Sequence, residues 1–223
     1  MRKISGFIIS VALLLPVWCS AQDTIRYPIN EMKGIRIGID ISKFPLLPVI
    51  YKGEHMGFEA TADMFVKGNF FAVAEAGWLN VNLDKEDFHY RQNGIYGKIG
   101  ADCNLLKSRR PHSNDIVYAG GRYGVSVFNH QADGITVPGH FWHDAPNCDI
   151  PKNTMHAHWL ELLLGVKAEV LKNFYAGMTF RLKFMIVKPK DDYSTPYMIP
   201  GFGNGDSGFA LGVNYYVSYN FHF

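Results

Sequence analysis

The feature that most constrains this chain is a period-two alternation of apolar and polar residues, repeated through eight segments. Such alternation places successive side chains on opposite faces of a strand. Ile35, Ile37, Ile39 and Ile41 alternate with Arg36, Gly38 and Asp40. Phe58, Ala60, Ala62, Met64 and Val66 alternate with Glu59, Thr61, Asp63, Phe65 and Lys67. The ladder from Phe70 to Trp78 opposes Glu75, that from Ile95 to Leu105 opposes Tyr96, Lys98 and Asp102, and that from Val117 to Val127 opposes Tyr118, Arg122 and Ser126. Leu160 to Val170 oppose Glu161, Lys167 and Glu169, and Met178 to Ile186 oppose Arg181 and Lys183. Apolar residues in the Leu160 segment also fall at helical spacing, but the unbroken alternation favours a strand. The last ladder runs from Phe209 to Phe223 against Asn214, Tyr216, Ser218 and Asn220. Eight strands of about ten residues match the smallest transmembrane barrel, all-β, antiparallel and up-and-down.

Charge decides which face points where. No apolar ladder holds a charged residue. The opposite ladders carry Arg36, Lys67, Lys98, Arg122, Lys167, Arg181 and Lys183, matched one for one by Asp40, Glu59, Asp63, Glu75, Asp102, Glu161 and Glu169. A soluble, lipocalin-like ligand-binding barrel is the alternative, with these charges in water. It would have to enclose Trp78, Tyr123, Phe180, Phe184, Tyr215, Tyr219 and Phe221 beside dense Leu and Ile rows, more than an eight-stranded interior admits. With the apolar ladders in lipid, the matched charges meet inside as an ion-pair network, the condition for burying them. Arg36, Lys98, Arg122, Arg181, Tyr118 and Tyr216 then fill the lumen and leave no evident pore.

The connections form an independent pattern. Strands meet tightly around Lys67-Gly68-Asn69 and Leu171-Lys172-Asn173. Longer stretches, Ser42–Glu54, Gln131–Met155 and Lys188–Ser207, lie at the other end, with a shorter one at Asp84–Tyr90. Long extracellular loops, short periplasmic turns and periplasmic termini give this distribution, with the longer turn Lys107–Asn114 as its exception.

Arg2 and Lys3 precede an apolar run from Gly6 to Trp18 and then Cys19-Ser20-Ala21, the pattern of a secretory signal peptide. We expect residues 1–21 to be this signal and residues 22–223 the barrel. A lipoprotein anchor on Cys19 is the alternative, disfavoured by bulky Trp18. The segment contains Arg2 and Lys3 and no acid, so the formal charge of +2 belongs to it and the rest of the chain is neutral. That neutrality argues against nucleic acid as a partner. Past the N-terminus no run of about 18 apolar residues occurs, which excludes a helical membrane bundle.

The terminal run Tyr215-Tyr216-Val217-Ser218-Tyr219-Asn220-Phe221-His222-Phe223 resembles the β-signal of bacterial outer-membrane barrels. The resemblance implies recognition of Tyr219, Phe221 and Phe223 by the barrel assembly machinery, and an outer-membrane location with membrane lipid as partner. The export signal ending at Ala21-Gln22 is similar to signals common in Bacteroidota, and the whole exported chain resembles small barrels of that phylum whose function is uncharacterised.

Candidate chemistry is sparse. His140, His143, His156 and His158 cluster near the longest loop, and His156 and His158 would stand ~7 Å apart on one strand face, close enough to share a metal. Solvated loop histidines are the reading we favour, so no metal or cofactor is expected. Trp142 and Trp159 fit membrane-edge anchors. Ser126 and His130 share a face but lie ~13 Å apart, too far for a nucleophile and its base. A lipid-modifying enzyme is therefore the secondary reading, behind a structural or interaction protein that presents extracellular loops to a partner the sequence does not identify. The stretch Pro200–Asp206 lacks a following helix, so it reads as a mobile loop tip rather than a phosphate site. Asn93-Gly94 reads as a bulge or hairpin tip. Cys103 and Cys148 fall at opposite ends of the barrel, so both thiols are expected to stay reduced.

Overall fold

The computed structural model describes residues 34–43, 54–85, 88–106, 115–134, 149–189 and 195–222. Its strands are β1 (Ile35–Asp40), β2 (His55–Lys67), β3 (Phe70–Lys85), β4 (Phe88–Asn104), β5 (Ile116–Asp133), β6 (Ile150–Leu171), β7 (Phe174–Val187), β8 (Met198–Ile199), β9 (Gly203–Asn204) and β10 (Phe209–Phe221). Eight of them form an antiparallel up-and-down barrel in the order β1-β10-β7-β6-β5-β4-β3-β2. β1 closes the ring by pairing with β2 through Ile39↔Ala60 and with β10 through Asp40↔Tyr216. The expected export signal (residues 1–21), the turn Lys107–Asn114, His140, Trp142, His143, Cys148 and Phe223 lie outside the described residues.

The alternation lands as the ladders require. Ile99 is 66% exposed and Leu211 61%, whereas Arg181 is 1% and Glu59 0% exposed. Two turns at one end need left-handed backbone, which Gly68 (φ 63°) and Asn173 (φ 66°) supply. The Glu169 carboxylate accepts the Asn173 backbone N–H at 2.8 Å and fixes the second of them.

Three expectations change. Apart from the six-residue β1, the barrel strands are longer than ten residues, up to 22 in β6, or ~70 Å along the strand, and a band of ~25 Å does not need that length. β3 to β6 therefore project beyond the apolar belt at the loop end, and the β3–β4 connection contracts to residues 86–87. Asn93-Gly94 is neither bulge nor tip: it continues β4 in regular register, with Asn80↔Asn93 on one side and Asn93↔Asn129 on the other. And Pro200–Asp206 is folded inward, where β8 and β9 pair as a small hairpin inside the mouth.

The outward face changes character along one cross-strand row. Asn80, Asn93, Asn129 and Thr154 are successive ladder partners, and the row beside them on the belt side begins Trp78, Ile95, Val127. The Trp78 indole N–H donates to Asn93 Oδ1 at 3.2 Å across this border. Past it the outward positions Asn82, Asp84, Arg91 and Asp133 are polar and exposed.

Candidate functional site: the filled lumen and its plug

From the turn end upward, the lumen is layered. Phe71, Val73, Ile116, Tyr118 and Leu163 form an apolar floor. Beside it Arg36 donates from Nε to Asp63 Oδ1 at 2.6 Å, and Lys167 reaches the other oxygen of Asp63 at 2.6 Å. The Arg36 guanidinium lies 5.0 Å from the Phe71 ring centre and 5.2 Å from that of Tyr175, so the cation is enclosed by π faces as well as charge.

Above this layer is a belt of coupled ion pairs. Arg181 donates to both oxygens of Glu75, at 2.8 and 2.9 Å, and to Glu161 Oε2 at 2.6 Å. Lys98 Nζ stands 3.0 Å from a carboxylate oxygen of Glu59 and of Glu75. Arg122 pairs with Asp102 at 2.7 Å and donates to the Ala101 carbonyl at 3.1 Å. Tyr216 accepts from Arg181 at 2.6 Å and donates to Glu59 Oε1 at 2.8 Å; Tyr96 donates to Glu59 Oε2 at 2.6 Å. Every one of these groups is buried, and buried charges persist when each is paired and hydrogen-bonded. A gap of about 10 Å³ bounded by Asp63, Glu75, Tyr118 and Arg181 is at the lower limit for a single water.

Aromatic side chains at this level lie over glycines of the neighbouring strand. A Cβ on Gly124 would fall 2.2 Å from the Trp159 indole, and one on Gly77 would fall 2.3 Å from the Tyr96 ring. The bare backbone at both positions lets the rings lie flat against the wall and aim their polar ends at the belt. Trp159 is thus fully buried and donates to Glu161 Oε1 at 2.7 Å. It is a lumen residue and not the membrane-edge anchor expected of it; it shares the parity of Glu161, which the nearby histidines obscured.

Two of the residues expected in the interior lie elsewhere. Lys67 is exposed at the turn end of β2, where the register shifts between Phe65 and Lys67. Glu169 is half-buried beside a similar shift and serves the Asn173 turn. An extra residue at each bulge ends the strict alternation. Conversely, Lys43, past the end of β1, reaches in to Glu59 and donates to the Tyr96 hydroxyl at 2.7 Å. Asp40 holds the start of that segment through the Ser42 backbone N–H at 2.9 Å.

The mouth is closed by the β8–β9 hairpin. Ile199 and Phe202 are buried among Tyr96, Phe128, Met155 and Trp159. The Lys183 ammonium donates to the carbonyls of Gly201 (2.8 Å) and Phe202 (3.0 Å), and the Tyr197 backbone N–H donates to the Tyr90 hydroxyl at 3.1 Å. Gln92 donates to the Met198 carbonyl. Sequence reasoning missed this plug, although Ile199 and Phe202 are conspicuous apolar residues in a stretch otherwise rich in glycine and polar side chains.

The remaining candidates do not assemble. His156 and His158 face outward, with His158 Nδ1 2.8 Å from the Tyr123 hydroxyl. Among the described residues no group of three His, Cys, Asp or Glu side chains is placed to hold a metal. Ser126 is buried and its hydroxyl meets no hydrogen-bonding partner among the described residues, while His130 Nδ1 lies 3.4 Å from the Tyr90 hydroxyl. Cys103 is half-buried on the outward side of β4. Tyr219 and Phe221 are exposed on β10, with ring centres 4.9 Å apart.

These features define a class: a closed eight-stranded antiparallel barrel with an apolar exterior, a charged interior and an inward-folded plug. The chain belongs to the family described as a domain of unknown function (DUF6048), whose profile matches residues 4–223. No curated protein matches it. Among solved structures it is similar to a major outer membrane protein from Thermus thermophilus, at 11% identity and a TM-score of 0.46, covering 84% of this chain and 98% of that one. It is also similar to Ail, the attachment invasion locus protein of Yersinia pestis, at 7% identity and a TM-score of 0.41, again over 84% of this chain and 98% of that one.

Proposed function

We propose that this chain is an outer-membrane barrel with a sealed lumen, which acts as a structural or interaction protein through the segments at its loop end. The observation that carries the reading is the inversion of polarity across the wall: large apolar side chains such as Ile99, Leu164 and Leu211 are exposed, while Arg181, Glu75 and Lys98 are buried. In water that arrangement would waste the hydrophobic driving force and expose a continuous apolar surface, which soluble monomers rarely carry. In a bilayer it is the stable arrangement, because a closed barrel satisfies the backbone groups of its paired strands internally.

In this reading residues 1–21 direct export and Tyr219, Phe221 and Phe223 engage the barrel assembly machinery. The turn end faces the periplasm and the loop end the exterior. The export signal and the resemblance of the whole exported chain to small barrels of that phylum support an origin in Bacteroidota. The filled lumen argues for presentation rather than transport, since neither the ion-pair belt nor the plug leaves a water-filled path.

The test is outer-membrane fractionation followed by electrophoresis with and without heating. The expected result is recovery with the outer membrane and a mobility that shifts on boiling. Recovery in the soluble periplasm with unchanged mobility would overturn the reading.

A further inference from the structure

We infer that the outward wall of β3 to β7 holds a binding site for an amide-linked acyl lipid, with the acyl chain over Gly121 and the amide at the Tyr123–His158 pair. The inference rests on the membrane reading above and extends it.

The outward face breaks its apolar pattern on β6. His158 faces outward, and its ladder partners on either side are Val125 and Val187. Thr154, in the polar row, lies on the same face of β6 and four residues nearer the loop end, ~13 Å away. With strands tilted by about 40°, His158 stands roughly 10 Å deeper than that row, past a headgroup layer of roughly 6 Å. A lipid would meet it with its acyl linkage and not with its headgroup. An ionisable side chain at such a depth is costly and marks a functional site.

A groove of about 920 Å³ on the outward face leads up to this position, a volume within the range of small-molecule sites. All of its lining comes from the paired strands β3 to β7. Toward the loop end it is bounded by one cross-strand row, Ile99, Tyr123, Leu160 and Phe184. The next row toward the turn end supplies the floor, where Ala72 and Gly121 leave the wall low. The Tyr123 hydroxyl lies 2.8 Å from His158 Nδ1, on the neighbouring strand and two residues nearer the loop end. The ring therefore leans away from Gly121, and the groove stays open beneath it.

Hydrogen-bonding capacity selects the occupant. A neutral imidazole carries one donor and one acceptor, and a phenol hydroxyl can do both. Whichever group donates within the Tyr123–His158 pair, one donor and one acceptor remain for a third group. A secondary amide meets both, since its N–H donates and its carbonyl accepts. An ester only accepts, so it leaves the acceptor of the pair unmet in hydrocarbon. The acyl chain of an amide held there runs down over Gly121, between Ile99 on one side and Leu162 on the other.

The experiment is native mass spectrometry of the full-length barrel, refolded in detergent and released with N-palmitoyl dihydrosphingomyelin or with dipalmitoyl phosphatidylcholine. The two lipids share the phosphocholine headgroup and saturated chains; one carries an amide and a hydroxyl where the other carries two esters. The sphingolipid should be retained about fivefold more, the worth of one net hydrogen bond between neutral groups. Tyr123→Phe and His158→Phe should each abolish that preference. A Cβ on Gly121 would meet nothing nearer than 3.8 Å, so Gly121→Leu fills the groove without strain and should remove the retained lipid. Equal retention of the two lipids by the wild-type barrel would overturn the site, as would undiminished retention in Gly121→Leu. A preference that survives both phenylalanine variants would overturn the role of the pair. The 3-deoxy sphingolipid, which keeps the amide and lacks the hydroxyl, should be retained like its parent; loss of its advantage would overturn the amide assignment. A barrel dimer in place of the lipid adduct would assign the groove to a second copy and overturn the lipid. Heat-modifiable migration is checked on each sample: its absence counts against the membrane reading, and its presence with no lipid preference counts against the site alone.

Discussion

Arg181 and Glu75 face each other across the full diameter of the barrel, joined by two contacts of 2.8 and 2.9 Å. β7 and β3 stand four strands apart whichever way the ring is followed. The same is true of β6 and β2, which Lys167 and Asp63 connect at 2.6 Å. These pairs act as struts that set the lumen width from inside, and Arg181–Glu75 has the two-contact geometry in which guanidinium and carboxylate interact most strongly.

Removing one end of a strut leaves an uncompensated buried charge. Glu75→Met should therefore cost about 3–5 kcal/mol, read as a lower urea midpoint in detergent. Arg181→Met combined with Glu75→Met should recover a large part of that loss. A double variant no more stable than Glu75→Met would show that the pair does not act as a unit.

The outward face supplies a second prediction. Leu164 lies in the middle of the apolar stretch of β6, and Thr154 lies on the same face of that strand beyond the polar row. Leu164→Arg should lower folding into vesicles by about 2–4 kcal/mol, while Thr154→Arg should leave it nearly unchanged. Equal effects would count against a membrane belt at this height.

Plug and belt can be separated functionally. Ile199→Ser with Phe202→Ser should expose Trp159 to acrylamide quenching, because both side chains pack in its cluster. Conductance across a planar bilayer should remain absent in the wild type and in this variant, since the belt beneath still fills the lumen. Discrete channel events in the variant would place the seal in the plug instead.

Gly124→Val would put a branched side chain where the Trp159 indole lies. We expect a loss of about 1–3 kcal/mol from overpacking and a changed near-ultraviolet dichroism as Trp159 leaves Glu161. An unchanged spectrum would mean that the indole has room to shift without releasing its partner.

The strands and their facing were legible because alternation states both at once: the parity that exposes Leu160 buries Glu161. What the alternation could not carry lies where its period breaks. The bulges beside Lys67 and Glu169 shift the register through backbone geometry that no side chain announces. Lys43 enters the lumen from a proline-containing stretch with no period to place it. The segment around Ile199 and Phe202 looked like an exposed tip because glycine and proline mark turns, but a turn can fold inward as well as outward. The distinguishing information, the Lys183 ammonium waiting below for two carbonyls, is tertiary.

The cross-diameter struts also bear on how the barrel is made. Glu59 on β2 finds its partners on β4 and β10 and in the segment after β1, and Asp63 is shared between Arg36 on β1 and Lys167 on β6, so neighbouring strands neutralise part of the charge but these two carboxylates gain all their partners only when the ring is complete. A half-built sheet released into the bilayer would present bare carboxylates and guanidinium groups to hydrocarbon, at a cost that a membrane does not tolerate. Only the finished ring hides them. In the membrane reading, the lumen charges thereby favour release of the completed ring into lipid over release of a partial one.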